Sequence, residues 1–374
     1  MKKILFVANL DKEHIKKFHI PTINKFIENG WQVDVACAGN ENIPNIANRY
    51  HMKWGRNPIS LRIFGEIRKL KKIIHDNNYD LIYCHTPTGG VAGRLASRKM
   101  RKNGLKVVYF AHGFHFYRGA PLLNWLLFYP AEKIMSRYTD LLITLNREDY
   151  DFAKRHFCRK TSYFLSNGVG VDLLKFSNSN FIFERENYRK EFHIDQQTIC
   201  LGYVAEIIKN KNQILLLKVV KLLLSKGINA KLLLVGPDHT NGKFDKLISK
   251  WHLSSYVICT GWRNDANSII SAFDFCVPSS LREGLGLNVI EAMEKGIVVV
   301  ANDNRGHRTI ISNLENGIIV KKNDFKSMAD SIVGLLNDLQ LREKLIKNAF
   351  ETAKKFDEKK VVNQLFEKIV ELMK

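Results

Sequence analysis

Three things are scarce in this chain, and each shortage narrows what it can be. It has six cysteines, Cys37, Cys84, Cys158, Cys200, Cys259 and Cys276, and no two stand close together. Several lie inside apolar runs, so the reading is free, buried thiols in a reducing compartment rather than a disulfide framework. Long apolar runs are also missing: no stretch approaches eighteen uninterrupted apolar residues, so no membrane-spanning helix is expected. The opening Met1-Lys-Lys-Ile-Leu-Phe-Val-Ala resembles the start of a leader, yet its apolar run breaks at Asn9 and Asp11 and no small-residue cleavage site follows. A first buried strand is expected there instead. Acidic charge is the third shortage, with 37 Asp and Glu against 58 Lys and Arg and a formal net charge of +21.

The excess of base is uneven. Residues 1–170 hold 28 Lys and Arg against 13 Asp and Glu, a net of +15, whereas the remainder holds 30 against 24, a net of +6. A basic N-terminal half calls for an anionic partner, whether a membrane surface, a lipid phosphate or nucleic acid, unless the charge is only a solvated face.

What is present reads as two α/β halves. At 374 residues and 45% hydrophobic, the chain is long enough for two domains with separate cores. In the first half, apolar runs at Ile4 to Ala8, Val33 to Ala36, Leu81 to Tyr83, Val107 to Ala111 and Leu141 to Thr144 predict strands. Helical spacing falls near Ile20 to Asn29, Ser60 to Asn77, Gly89 to Lys102, Leu122 to Tyr138 and Arg147 to Phe157. Such alternation argues for a parallel sheet covered by helices on both faces, with ligands at the carboxyl ends of the strands. A strand at Tyr163 to Leu165 runs into the glycine-rich turn Ser166-Asn-Gly-Val-Gly-Val-Asp172, where a domain boundary is expected. Alternation then resumes with strands at Ile199 to Val204, Lys231 to Val235, Val257 to Thr260, Phe273 to Val277 and Ile297 to Ala301, and a helix from Gln213. The expected division is 1–172, 173–355, and a last amphipathic helix over 356–374 that either packs back on the first domain or stays on its own.

Two helices of the first half are unusually basic, one with Arg68, Lys69, Lys71 and Lys72, the other with Arg94, Arg98, Lys99, Arg101 and Lys102. Between them and the boundary lies Ala120-Pro-Leu-Leu-Asn-Trp-Leu-Leu-Phe-Tyr-Pro130, richer in large apolar residues than a surface helix requires. It is either core or a segment that enters a lipid headgroup region beside the basic helices.

The stretch that carries chemistry is Ser280-Leu-Arg-Glu-Gly-Leu-Gly-Leu-Asn-Val-Ile-Glu-Ala-Met, followed by Gly296 and an apolar run to Ala301. It reads as strand, glycine loop, helix, strand. The first N–H groups of that helix have no intrahelical partner, and Gly284 and Gly286 admit a ligand close to the main chain, which suits an anion. Glu283 stands before the helix and Glu291 about one turn inside it, so both carboxylates can face one ligand. Taken alone, the pair reads equally as a charge at a helix start and a solvated helical position.

The whole stretch resembles the donor-binding segment of the family 4 retaining glycosyltransferases, in which two glutamates separated by seven residues flank a Gly-rich turn. The resemblance implies that Glu291 holds the ribose hydroxyls of a nucleotide sugar, that Glu283 meets the transferred sugar near its reacting carbon, and that the amides around Leu285 to Leu287 meet sugar and diphosphate. Tyr109-Phe-Ala-His-Gly-Phe-His-Phe-Tyr-Arg-Gly-Ala-Pro121 and Ile143-Thr-Leu-Asn-Arg-Glu-Asp-Tyr150 resemble the members that build bacterial capsular and exopolysaccharides. There His112 matches the family histidine near the donor sugar, whereas His115 has no general role. In Gly202-Tyr-Val-Ala-Glu-Ile-Ile-Lys-Asn-Lys-Asn-Gln213, Lys211 matches the family lysine that serves the donor diphosphate. Ala205 and Glu206 replace the usual Gly-Arg, and Lys209 is the cation available to offset Glu206. Trp262 and Arg263 fall where the family binds the nucleotide base, and Thr309 takes a position that is often Glu.

The resemblance implies the GT-B architecture, two doubly wound Rossmann-like domains facing across a cleft, and a retaining transferase. Its donor would be a nucleotide sugar, with UDP favoured, and its acceptor a lipid-linked or saccharide group in bacterial surface polysaccharide synthesis. Catalysis would stabilise positive charge on the sugar through Glu283 and negative charge on the diphosphate through Lys211 and the amides from Gly286 onward. No acidic metal-binding motif is evident, and no metal or other cofactor is expected. The expected setting is the inner face of the cell membrane, held through the basic N-terminal domain and open to a polysaccharide assembly complex. The paired glutamates oppose nucleic acid as a partner. A nucleotide-sugar epimerase of the same architecture and a non-catalytic binding subunit are the alternatives.

Overall fold

The computed structural model describes residues 1–55, 62–176 and 180–374. It divides into two compact units, one formed by Met1–Gly170 with Glu358–Lys374, the other by Val171–Asp357.

The first unit is built on seven parallel strands: β1 (Lys3–Leu10), β2 (Gln32–Ala38), β3 (Asn48–His51), β4 (Leu81–His85), β5 (Lys106–Ala111), β6 (Leu141–Thr144) and β7 (Ser162–Leu165). Their order is β3-β2-β1-β4-β5-β6-β7. Ile4 pairs with Val33 on one side and Leu81 on the other, so β1 and β4 are central and buried on both faces. That is why they read as continuous apolar runs. In this sheet the sequence does not announce β3, whose Asn-Arg-Tyr-His is polar and half exposed, as an edge strand can be. The strand order reverses between β1 and β4, and a doubly wound sheet places its ligand at that reversal, outside the carboxyl ends of the strands.

Helices Arg62–Asn77 and Pro87–Ser97 bury Leu70, Ile74, Ala92 and Ala96 in one core, against which Trp125 of helix Leu122–Met135 is partly buried. Residues 60 and 61 of the expected Ser60 to Asn77 helix lie outside the described residues. The expected Gly89 to Lys102 helix ends at Ser97 and gives way to a 3₁₀ turn at Met100–Asn103. This changes its charge: Arg94 is buried against Glu132 at 2.7 and 3.1 Å and lies 3.9 Å over the Tyr109 ring, and Arg101 pairs with Asp140 at 2.5 Å. Of the five cations, Arg98, Lys99 and Lys102 are fully at the surface.

The helix Leu122–Met135 is neither wholly core nor wholly surface. Trp125, Phe128 and Tyr129 face the aromatic cluster around Phe116, while Leu122, Leu123, Leu126, Leu127 and Ile134 are 44 to 74% exposed. The C-terminal helix Glu358–Leu372 packs on Ile20–Glu28 within this unit, with the Phe26 and Phe366 rings 5.1 Å apart. Gly170 makes the approach possible, because a Cβ there would lie 2.4 Å from the Glu358 Cα, and its φ of +84° suits glycine.

The second unit carries a six-stranded sheet ordered β10-β9-β8-β11-β12-β13, from β8 (Ile199–Val204), β9 (Ala230–Val235), β10 (Val257–Cys259), β11 (Phe275–Cys276), β12 (Val298–Asn302) and β13 (Ile318–Val320). All the pairings are parallel. Two expected strands are shorter than their apolar runs, since Phe273 and Val277 are buried outside β11 and Thr260 lies past β10. The three-residue β13 is too brief to stand out in the sequence. Helix Gln213–Ser225 buries Leu215, Leu216, Val219, Val220 and Leu223 against this sheet, about 1.5–3 kcal/mol each. Here the order reverses between β8 and β11, which singles out the loops after those two strands.

Candidate functional site

Those loops bring Lys211 and Glu283 together. Lys211 Nζ lies 2.6 Å from Glu283 Oε1, with both side chains mostly buried. The two segments are sewn to each other by main-chain bonds: Leu281 N–H donates to the Asn210 carbonyl at 2.8 Å, the Asn210 amide donates to the Arg282 carbonyl at 3.0 Å, and Ser279 Oγ donates to the Lys211 carbonyl at 2.7 Å. Glu283 Oε1 also accepts from Ser280 Oγ at 2.6 Å, and the Tyr203 hydroxyl lies 2.6 Å from Ser280 Oγ. Because the carboxylate can only accept, Ser280 donates to it and Tyr203 donates to Ser280. Burial, with the nearby Glu283 charge, pushes the Tyr203 pKa well up and keeps its proton in place. The carboxylate is thus fixed by a cation and a two-hydroxyl chain.

A second support comes from helix Arg305–Ile310. Asn304 caps it, accepting from Gly306 and His307 N–H, and its amide donates to the Ser280 carbonyl at 2.9 Å. The Asn302 amide donates to the Ser279 and Ser280 carbonyls. Gly306 lies so close to the loop that a Cβ there would meet the Glu283 Cβ at 2.6 Å. His307 Nδ1 is 2.7 Å from the Asn302 carbonyl, so that nitrogen carries the proton, and Nε2 is a buried acceptor with no partner among the described residues. Burial lowers the His307 pKa, against an opposing pull from Glu283, so the ring is neutral.

The glycine loop enters helix Leu287–Glu294 through Gly286, with no side-chain cap, which leaves its first amides available to a ligand. Leu285 and Gly286 are buried, while Gly284, Leu287 and Glu291 are half-buried, and Glu291 lies in the second turn of the helix.

Other candidates are engaged differently. Glu206 is about half exposed, its carboxylate 3.9 Å from His239 Nε2, while Lys209 is exposed and makes no ion pair among the described residues. Arg263 turns away into a network of its own, pairing with Asp265 and Glu191 at 2.7 Å each, with Tyr188 donating to Asp265 at 2.9 Å. Trp262 is 73% exposed. Thr309 bonds back to the Arg305 carbonyl of its own helix.

His112 sits in the first unit, just past β5, beside that sheet's reversal. Three other histidines surround it: His14 and His19 from the segment after β1, and His85 at the end of β4. His115 stacks on Phe128 instead, 4.7 Å between rings. Sequence reading finds His112 but not its companions, which are scattered along the chain; their shared signal is that each follows or ends a strand at the same sheet edge. Ser280, Tyr203, Asn304 and His307 were likewise silent, because their roles depend on contacts between loops far apart in sequence.

Comparison with known proteins agrees along the whole chain. The family described as Glycosyl transferases group 1 matches residues 184–352, and Glycosyl transferase 4-like matches residues 3–146. EpsD of Bacillus subtilis (strain 168), which bears a glycosyltransferase name, is 39% identical over 364 residues, 97% of this chain and 95% of that protein. The UDP-Gal:alpha-D-GlcNAc-diphosphoundecaprenol alpha-1,3-galactosyltransferase of Escherichia coli is 25% identical over 318 residues, 81% of this chain and 79% of that one. Among solved structures, Anabaena Alr3699/HepE in complex with UDP and glucose superimposes with a TM-score of 0.81 at 19% identity, covering 99% of this chain and 100% of that one.

Proposed function

The chain belongs to the group 1 glycosyltransferases and has the GT-B fold, and from that premise we propose that it is a retaining enzyme moving a sugar from a UDP-sugar to a lipid-linked or saccharide acceptor of a bacterial surface polysaccharide. The observation that carries the reading is the Lys211–Glu283 pair at 2.6 Å, set at the reversal of the second sheet beside the open start of helix Leu287–Glu294. In the resting protein the two charges satisfy each other. A diphosphate seated on the amides from Gly286 onward draws Lys211 to itself, and Glu283, still held by Ser280, is left facing the sugar as positive charge develops at its reacting carbon. The bond from that carbon to the diphosphate oxygen breaks, the acceptor oxygen takes its place, and the acceptor's proton leaves with the diphosphate. Glu291 binds the ribose hydroxyls, and His112 a sugar hydroxyl.

Lys209 is free to serve the diphosphate; Arg263, already paired twice, contributes through the main chain of its loop rather than through its guanidinium. The supports for a lipid-linked acceptor are a relative named for a diphosphoundecaprenol substrate and the exposed leucines of helix Leu122–Met135. Leu122, Leu123, Leu126 and Leu127 form one stripe beside exposed Lys133 and Arg137, on a unit that already carries most of the excess base. A stripe of this kind fits a shallow seat in an anionic headgroup layer. Among the described residues no helix is long and apolar enough to cross a membrane.

The test is release of nucleoside diphosphate from UDP-, GDP- and TDP-sugars, with and without membrane extract carrying lipid-linked acceptors. Release from one UDP-sugar that requires the extract, and falls about 100-fold or more in Glu283→Gln, is expected. Turnover of the donor without any acceptor would identify an epimerase instead, and unchanged transfer in Glu283→Gln would remove the catalytic assignment.

A further inference from the structure

Of the four histidines at the reversal of the first sheet, His14, His19 and His85 have no part in the transferase reading. His14 belongs to a π-helical turn, Asp11–Ile15, anchored by the Asp11 carboxylate on Arg49 at 2.6 Å, and π turns recur at functional positions. His19 begins the next helix, and His85 ends β4. The residue after His85, Thr86, holds a φ of +62°, a strained conformation for a β-branched residue. His19 and His85 are fully buried, His14 nearly so, and His112 closes the group at its edge.

One nitrogen from each of the four rings lies within 4.8 Å of all the others, and His14 Nε2 and His19 Nε2 are 3.1 Å apart. Ordinary packing accounts poorly for this. Phe6, Tyr83 and Phe110 surround the group and would pack equally well on a fifth apolar ring. Instead both nitrogens of His85, together with Nε2 of His112, are buried without a hydrogen-bond partner among the described residues, each a desolvated polar atom that costs about 1–3 kcal/mol.

We propose that His14, His19, His85 and His112 bind a single divalent transition-metal ion of the zinc, copper or nickel class, contained within the first unit. Imidazole suits these ions, and a tetrahedral set with bonds of about 2.0–2.1 Å places its nitrogens about 3.3 Å from one another. Closure therefore needs movements of at most about 1.5 Å, achieved mainly by ring rotation about the existing positions. Burial holds all four rings below their ordinary pKa, His112 at about 4, so each is neutral at pH 7 with a lone pair to donate. The bond now joining His14 and His19 is exchanged by a tautomeric shift of one proton to Nδ1, so loading releases no proton. The ion would tie the segment after β1 to the ends of β4 and β5. The binding itself does not depend on the transferase reading.

The experiment uses the full chain without a polyhistidine tag, stripped with chelator and titrated with Zn²⁺ by calorimetry and with Co²⁺ by visible absorption. One equivalent of Zn²⁺, and a Co²⁺ spectrum with the intense bands of a tetrahedral rather than an octahedral ion, are expected. His85→Gln and His14→Gln should each weaken Zn²⁺ binding by about 100-fold or more, since loss of a ligand costs at least what loss of its support does. His75→Gln, at an exposed surface histidine, should leave it unchanged. His14 is the more accessible of the two ligands, so its variant remains informative if His85→Gln fails to fold. No one-equivalent binding, binding retained in His14→Gln, or binding lost in His75→Gln would each overturn the proposal.

Discussion

Replacing Gly306 by alanine should cripple transfer without removing any chemical group. The added Cβ would lie 2.6 Å from the Glu283 Cβ and 3.1 Å from its carbonyl carbon and oxygen. Ordinary carbon contacts begin near 3.5 Å, so one side must yield by about 1 Å. The helix cannot easily do so, because Asn304 holds Gly306 N–H at 2.9 Å and His307 N–H at 3.0 Å while its own amide is tied to Ser280. The Glu283 loop is the side that moves. A displacement of about 1 Å at a reacting group costs about 100-fold in rate, and that is the expected fall in kcat for UDP-sugar turnover. Stability should change much less, since overpacking of about 1–3 kcal/mol is partly offset by up to about 1 kcal/mol from alanine's better helix propensity. In a unit of this size that is a melting shift of no more than about 8 °C. Gly306→Ala combined with Glu283→Gln should be no slower than Glu283→Gln alone, because both act through one carboxylate. A Gly306→Ala enzyme within about threefold of the parent kcat, or a double variant that multiplies the two losses, would refute the placement of Glu283 at the reacting carbon.

Three further outcomes are expected. Lys211→Met removes one charge-assisted phosphate contact, about 1.5–3 kcal/mol, so kcat/KM for the UDP-sugar should fall by about 10- to 150-fold; a loss under threefold would detach Lys211 from the diphosphate. Glu132→Gln leaves the Arg94 guanidinium, 1% exposed, with its charge uncompensated, and urea unfolding should show about 3–5 kcal/mol less stability, whereas a loss below about 1 kcal/mol would mean the pair is dispensable. Leu123→Glu with Leu126→Glu should abolish flotation with anionic vesicles while leaving the melting temperature within about 2 °C, as suits two side chains more than 60% exposed; unaltered flotation would remove this helix from the membrane surface.

How much of this was legible in the sequence follows from how each feature is encoded. The central strands announce themselves because burial on both faces writes an unbroken apolar run, as at Ile4 to Ala8 and Val298 to Ala301. The edge strand Asn48–His51 writes nothing, since its stability comes from pairing with β2 and not from its own side chains. Helix Leu122–Met135 shows why composition left two readings open: seven large apolar residues among the eight from Leu122 to Tyr129 fix neither face, and only the packing of Trp125 and Tyr129 beneath decides that the leucines point outward. The same distinction governs the sites. Glu283, Gly286 and Glu291 lie on one continuous segment whose spacing is a local signal, whereas Ser280's role as a relay needs Tyr203 and the histidine cluster needs residues 14, 19, 85 and 112. Those pairings exist because parallel sheets deliver distant loops to one edge at the strand reversal. In this chain both reversals collect chemistry, a paired lysine and glutamate in the second unit and four neutral imidazoles in the first. The order of the strands therefore locates what the spacing of residues cannot.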